Sequence, residues 1–174
     1  MFVLQACASD KEIPQSAPAE PPKVEVENSL YPKQLGFVND YVQLFTDDQK
    51  QKLDSLLTDF EKRTGVEMAV AILDSSRTTK DGFFKYTVDL ANYWGVGKSD
   101  ENNGVLFIFA PQLRMLRVNT GTGIENILKD EAIFKILDNK IFPQFKKDKM
   151  FQGTWDGVLA LMALYDRQIK QSEK

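Results

Sequence analysis

Two runs in this chain carry almost no polar alternation: VEMAVAILD, residues 66–74, and VLFIFA, residues 105–110. A strand with one wetted face alternates apolar and polar residues. A run that is apolar on both faces belongs inside a sheet covered on both sides. Between the two runs, Phe84, Val88, Ala91 and Trp94 fall on one face of a helix predicted over roughly residues 80–94, stopped by Gly95 and Gly97. Strand, helix, strand with both strands buried makes a right-handed βαβ unit and a parallel pair. Ala110-Pro111-Gln112-Leu113 then turns the chain. Met115–Asn119 returns as a less buried antiparallel strand, with Leu116 and Val118 on one face and Met115, Arg117 and Asn119 on the other.

Helices remain to cover the sheet. Thr46-Asp47-Asp48-Gln49 is a capping box, followed by a stripe of Leu53, Leu56, Leu57 and Phe60, and Gly65 ends that helix. Asp130 caps a predicted helix bearing Ile133, Ile136, Leu137 and Ile141, which Pro143 limits. A last helix, near residues 154–170, carries Val158, Leu161, Met162, Tyr165 and Ile169. The expected fold class is α/β: a three-layer α/β/α sandwich with a small mixed sheet. The 174 residues suit one such domain.

Composition excludes more chemistry than it admits. The chain has no histidine and one cysteine, Cys7. That removes Ser-His-Asp and Cys-His catalysis, zinc held by His or Cys, iron–sulfur centres and any intramolecular disulfide. A metal here must be held by oxygen, which favours Ca²⁺, Mg²⁺ or Mn²⁺. The formal net charge of −3, with both signs interspersed, gives no basic face for nucleic acid.

Leu4-Gln5-Ala6-Cys7 has the form of a bacterial lipobox, although the stretch before it is short and lacks a basic region. Cys7 is the expected lipidation site, on a residual signal at residues 1–7. Residues 8–34, with five prolines, read as a disordered Pro-rich tether, and residues 35–174 as the folded domain. These features lead to a protein of the bacterial cell envelope, lipid-anchored and facing the periplasm or exterior.

The residues with site chemistry cluster around the second apolar run. Centring the hairpin on Gln112 places Gly104 opposite Thr120, so loops 99–103 and 121–125 share one end of the sheet. Gly121 and Gly123 let backbone approach whatever lies between them. Asp40 closes the same end if residues 36–39 add a strand. Asp40, Asn102, Asn103, Glu125 and Asp130 are therefore candidate oxygen ligands of one crevice. Each also has a plainer role as turn former or helix cap. A local EF-hand is excluded: counting Gly104 as the sixth position leaves Ala110 where the twelfth needs a bidentate carboxylate. Asp74-Ser75-Ser76-Arg77-Thr78 has the D-x-S-x-T form of a metal-dependent adhesion motif, but it ends the first buried strand. A cap at Thr78 or Thr79 for the following helix explains it more simply.

The order VNDYVQLFTDDQKQKLDSLLTDFEKRTGVEMAVAIL, ANYWGVGKSDENNGVLFIFAPQLRMLRVNTGTGIE, LKDEAI and IFPQFKKDKMFQG resembles the TPM domain family over residues 36–160. The family's members occur in bacterial envelope proteins and in a thylakoid lumen protein linked to photosystem II repair. Its D-[ND]-G is similar to Asn102-Asn103-Gly104, with an amide in place of the leading carboxylate. Its G-Y-G-L-E is similar to Gly121-Thr122-Gly123-Ile124-Glu125, and its strand and helix aspartates correspond to Asp40 and Asp130. The resemblance implies a divalent cation, Ca or Mg, as cofactor. It implies a non-catalytic interaction or repair-assisting module with an envelope protein partner, expected as a monomer. The alternative it implies is a metal-dependent acid phosphatase acting on phosphomonoesters, with Asp40, Glu125 and Asp130 as ligands or base.

Overall fold

The structure is a computed structural model that describes residues 30–98 and 100–172. Cys7 and residues 8–29 of the expected tether lie outside the described residues. Residues 31–34, assigned above to the tether, are packed: Trp94 Nε1 donates to Pro32 O at 2.8 Å and the Tyr41 hydroxyl to Lys33 O at 2.6 Å.

Four strands form one sheet in the order β1 (Val38–Asp40), β2 (Met68–Ile72), β3 (Val105–Ala110), β4 (Met115–Thr120). β1, β2 and β3 are parallel, and β4 is antiparallel to β3. Every residue of β2 and β3 is buried, as two-sided apolar runs require. The helices are α1 (Asp47–Thr64), α2 (Phe83–Trp94), α3 (Asp130–Ile136), α4 (Phe142–Phe145) and α5 (Met150–Ser172).

The two sheet faces explain the three layers. On one face Met68, Val70, Ile72, Phe107 and Phe109 join Leu53, Leu57 and Phe60 of α1 and Val158 and Leu161 of α5. The other face shows smaller residues, Ala69, Ala71 and Ala110 among them, and takes α2 through Phe83, Tyr86 and Leu90. Removing each large apolar side chain from water stabilises the fold by about 1.5–3 kcal/mol. The architecture is the expected α/β/α sandwich with a mixed sheet.

α1 starts as the sequence dictates. Gln49 N donates to Thr46 Oγ1 at 3.3 Å, Thr46 N donates to the Gln49 side chain at 3.0 Å, and Gly65 closes the helix with φ 74°. Four details differ. The hairpin pairs Val105 with Thr120 rather than Gly104 with Thr120. Four residues, Pro111 to Arg114, make the turn, with Arg114 left-handed at φ 54°, so its centre moves half a residue. α2 begins at Phe83 behind Gly82, with the Thr79 hydroxyl accepting from Gly82 N at 3.1 Å, so neither Thr78 nor Thr79 is its cap residue. Lys129, not Asp130, precedes α3, and Pro143 does not stop the helical path. A π-helical turn at Leu137–Ile141 widens the spiral and relieves the carbonyl that the proline ring would strike, so α4 follows directly.

Candidate functional site

Three backbone segments meet at the N-terminal end of β3. Gly121 N donates to Gly104 O at 2.8 Å and Gly123 N to Asn102 O at 3.0 Å, fixing the 121–123 turn against the 102–104 loop. A Cβ on Gly121 would sit 2.0 Å from Asn102 O, and one on Gly104 1.9 Å from Val96 O. Side chains are excluded there by space, so three chain segments stack backbone on backbone. Asn102 takes φ 48°, a left-handed conformation that asparagine tolerates better than most residues. An asparagine therefore suits the backbone at this position.

The loop sends its two amides to opposite sides. Asn103 is buried and consumed: its Oδ1 accepts from Lys98 N at 3.0 Å, and its Nδ2 donates to Gly65 O at 3.0 Å and to Glu101. Together with Glu67, whose carboxylate accepts from Gly97 N at 2.9 Å, it ties the 97–103 loop to the segment entering β2. Asn102 instead lines a cleft of about 600 Å³ beside α2, with Gly121, Thr122, Glu125 and Asp130. Their side chains accept no hydrogen bond from other described residues.

Asp40 does not reach this cleft. β1 is parallel to β2 and β3, and Asp40 pairs with Ile72, which pairs with Phe109 at the far end of β3. There its Oδ2 accepts from Phe45 N at 2.8 Å and its Oδ1 from Val42 N at 3.2 Å, closing the turn into α1. The placement expected for Asp40 is corrected by strand direction: parallel strands bring C-terminal ends together, and the 99–103 loop precedes β3. Asp74 lies at that far end too. Its Oδ1 accepts from Ser76 N at 2.7 Å, and the Ser76 hydroxyl and amide hold its carboxyl below the usual aspartate range.

The cleft also takes in Arg117, to which the sequence gives a place on one face of β4, beside Met115 and Asn119, but no role. That face is the one α2 covers: the Arg117 guanidinium carbon lies 3.4 Å from the centre of the Phe84 ring. Its Nε donates to Asn119 Oδ1, and Asn119 Nδ2 donates to Thr87 O at 3.0 Å. Burial pulls the Arg117 pKa down from its ordinary value, and the negative Asp130 acts in the opposite direction. A cation inside a strand facing a covering helix was the available signal.

The donor set suits a hard cation with few charged ligands. Glu125 and Asp130 offer carboxylates and Asn102 an amide oxygen, all on one cleft and all oxygen. No three His, Cys, Asp or Glu side chains gather into a metal-holding group among the described residues. Two carboxylates and an amide would give a cation low ligand charge.

Solved structures of the same shape exist. The N-terminal domain of a protein from P. gingivalis, solved by solution NMR, shares 29% identity over 77% of this chain and 84% of its own, with a TM-score of 0.67. BA42 from the psychrophilic bacterium Bizionia argentinensis is 22% identical over 74% and 86%, TM-score 0.63. The N-terminal domain of cg2496 from Corynebacterium glutamicum is 16% identical over 78% and 80%, TM-score 0.52. The last two show the fold alone. No curated protein matches the chain. The TPM domain family matches residues 38–164, most of the described chain. The chain belongs to the TPM domain family.

Proposed function

We propose that this TPM-domain protein serves the cell envelope as a non-catalytic interaction module, stiffened by a divalent cation, Ca or Mg, held in the cleft beside α2. Asn102, Glu125 and Asp130 are its side-chain ligands; Asp40 and Asn103 support the loops and do not bind it. The observation that carries this reading is the sharing of one cleft by these three side chains, none of which accepts a hydrogen bond from another described residue. A lipid on Cys7 anchors the module, and an envelope protein is its partner. No helix among the described residues is long and apolar enough to cross a membrane.

Hydrolysis of phosphomonoesters is the weaker reading. Among the described residues no Ser, Cys or His lines the cleft, and metal-activated water is the nucleophile this reading would use. A Ca²⁺ or Mg²⁺ titration followed by backbone amide NMR tests the cation. Shifts confined to residues 97–104 and 121–130 are expected. Shifts at residues 74–78 favour the adhesion-like motif instead, and no shift at millimolar cation sinks the proposal.

A further inference from the structure

The cleft that holds the proposed cation needs little positive charge to be balanced. Of its charged lining residues, Lys98 pairs its ammonium with Glu101 at 3.3 Å, which leaves the single positive charge of Arg117 against Glu125 and Asp130. A divalent ion seated on Glu125 and Asp130 leaves the cleft with an excess of positive charge beside a guanidinium that stays protonated. A bare cation is therefore poorly matched to this site. A cation that arrives with an anionic oxygen is better matched.

Arg117 is oriented for that oxygen. Phe84 covers one face of the guanidinium and Asn119 takes its Nε, while Asn119 is itself held by Thr87 O. Three contacts, two of them to α2, fix the plane of the fork. The terminal nitrogens make no hydrogen bond or ion pair with other described residues. A planar fork fixed in this way favours bidentate capture of a carboxylate or phosphate group.

We propose that Arg117 is an oxyanion subsite: the cleft binds a ligand carrying a carboxylate or phosphate group, which Arg117 clamps while its oxygens complete the cation's coordination. This rests on the cation reading above for its coupling, and on Arg117 alone for the anion contact. Arg117 acts here in binding, whether or not any bond is broken.

The test uses the full chain with NMR of the Arg117 Nε–Hε group and of backbone amides, under chelator or Mg²⁺, titrated with inorganic phosphate and, separately, acetate. At least one anion is expected to shift the Arg117 signal, and Mg²⁺ to lower the concentration needed by about tenfold, an ordinary coupling between linked ligands. The phosphate and acetate arms tell which group is preferred. R117M is expected to lose the anion response but keep the Mg²⁺ shifts at Asn102 and Glu125. R117K, which keeps charge but not the fork, is expected to weaken it. Mg²⁺ shifts with no anion response at Arg117 overturn the subsite and leave the cation standing. An anion response that Mg²⁺ does not change overturns the coupling. Equal anion responses in R117M and the parent chain overturn the role of Arg117.

Discussion

The two ends of the sheet carry similar residue types and use them differently. At the C-terminal ends of β1 and β2, Asp40 and Asp74 spend their oxygens on the backbone amides of Val42, Phe45 and Ser76. At the N-terminal end of β3, Asn103 is spent in the same manner, but Asn102, Glu125 and Asp130 face a cleft with their oxygens unclaimed by other described residues. An acidic or amide residue beside a buried strand is thus no mark of a site by itself. What separates the ends is the use already made of the oxygen, which follows from whether nearby backbone amides need an acceptor.

The largest expected effect tests the packing that builds the cleft. Gly104→Ala puts a methyl group 1.9 Å from Val96 O, with backbone on both sides and nothing soft to yield. Loss of at least about 3 kcal/mol in urea unfolding is expected, at the severe end for a small-to-large change. Gly95→Ala is the control. Its φ of 64° penalises a side chain, but no atom lies within 4 Å of the new carbon. It should cost only about 1–2 kcal/mol. Equal losses in the two variants would show that the loops are not close-packed.

Asp40 and Glu125 form the sharpest contrast between the ends. Asp40→Ala removes an acceptor from two backbone amides and should cost about 1–2 kcal/mol of stability. It should leave the cation-induced shifts near residues 97–104 unchanged. Glu125→Ala should do the reverse: stability within about 0.5 kcal/mol, as for a surface change, and the cation response lost. If the chain hydrolyses phosphomonoesters through the cleft, turnover should vanish in Glu125→Ala and survive in Asp40→Ala. Loss of the cation response in Asp40→Ala would erase the distinction between the ends.

A smaller change should sharpen the cleft end. Asn102→Asp restores a carboxylate without altering shape, and aspartate also tolerates a left-handed backbone. Cation affinity should rise by about tenfold, the order of one added charge near a protein surface. An unchanged affinity in a cation titration would show that Asn102 only holds the turn.

Much of this was legible in the residues. Two-sided apolar runs gave β2 and β3, the capping box gave the start of α1, and the hairpin brought loops 99–103 and 121–125 together. The parallel direction of β1 was harder to read, because a three-residue strand has no period to detect. That direction alone moved Asp40 to the other end of the sheet. Asn102 and Asn103 are neighbours with identical side chains, and their difference arises from tertiary contacts: Gly65 O and Lys98 N wait for one and not for the other. Arg117 escaped notice because alternation marks which residues share a face, and says nothing about what covers that face.

The smallest effect calibrates both ends with a carboxylate that belongs to neither. Asp89 lies on the surface of α2, where it accepts from the Lys85 ammonium and, at 3.1 Å, from the Tyr31 hydroxyl. The Lys85 ammonium holds its carboxyl below the usual aspartate range, against the opposing effect of burial and with a smaller contribution from the Tyr31 hydroxyl. A depressed folded-state pKa means that the unfolded chain binds the proton more readily. The stabilisation is therefore complete above the unfolded value, about 3.9, and drains away as pH falls through the folded one. Urea midpoints of the parent chain and Asp89→Asn should differ slightly at neutral pH and converge only in acid well below the unfolded value, once the folded carboxyl is protonated too. A difference that persists in acid would mean that Asp89 acts through shape and hydrogen bonding rather than charge. The same experiment on Asp74→Asn would then have to be judged on contacts alone, because its lowered pKa also rests on hydrogen bonds, those from Ser76.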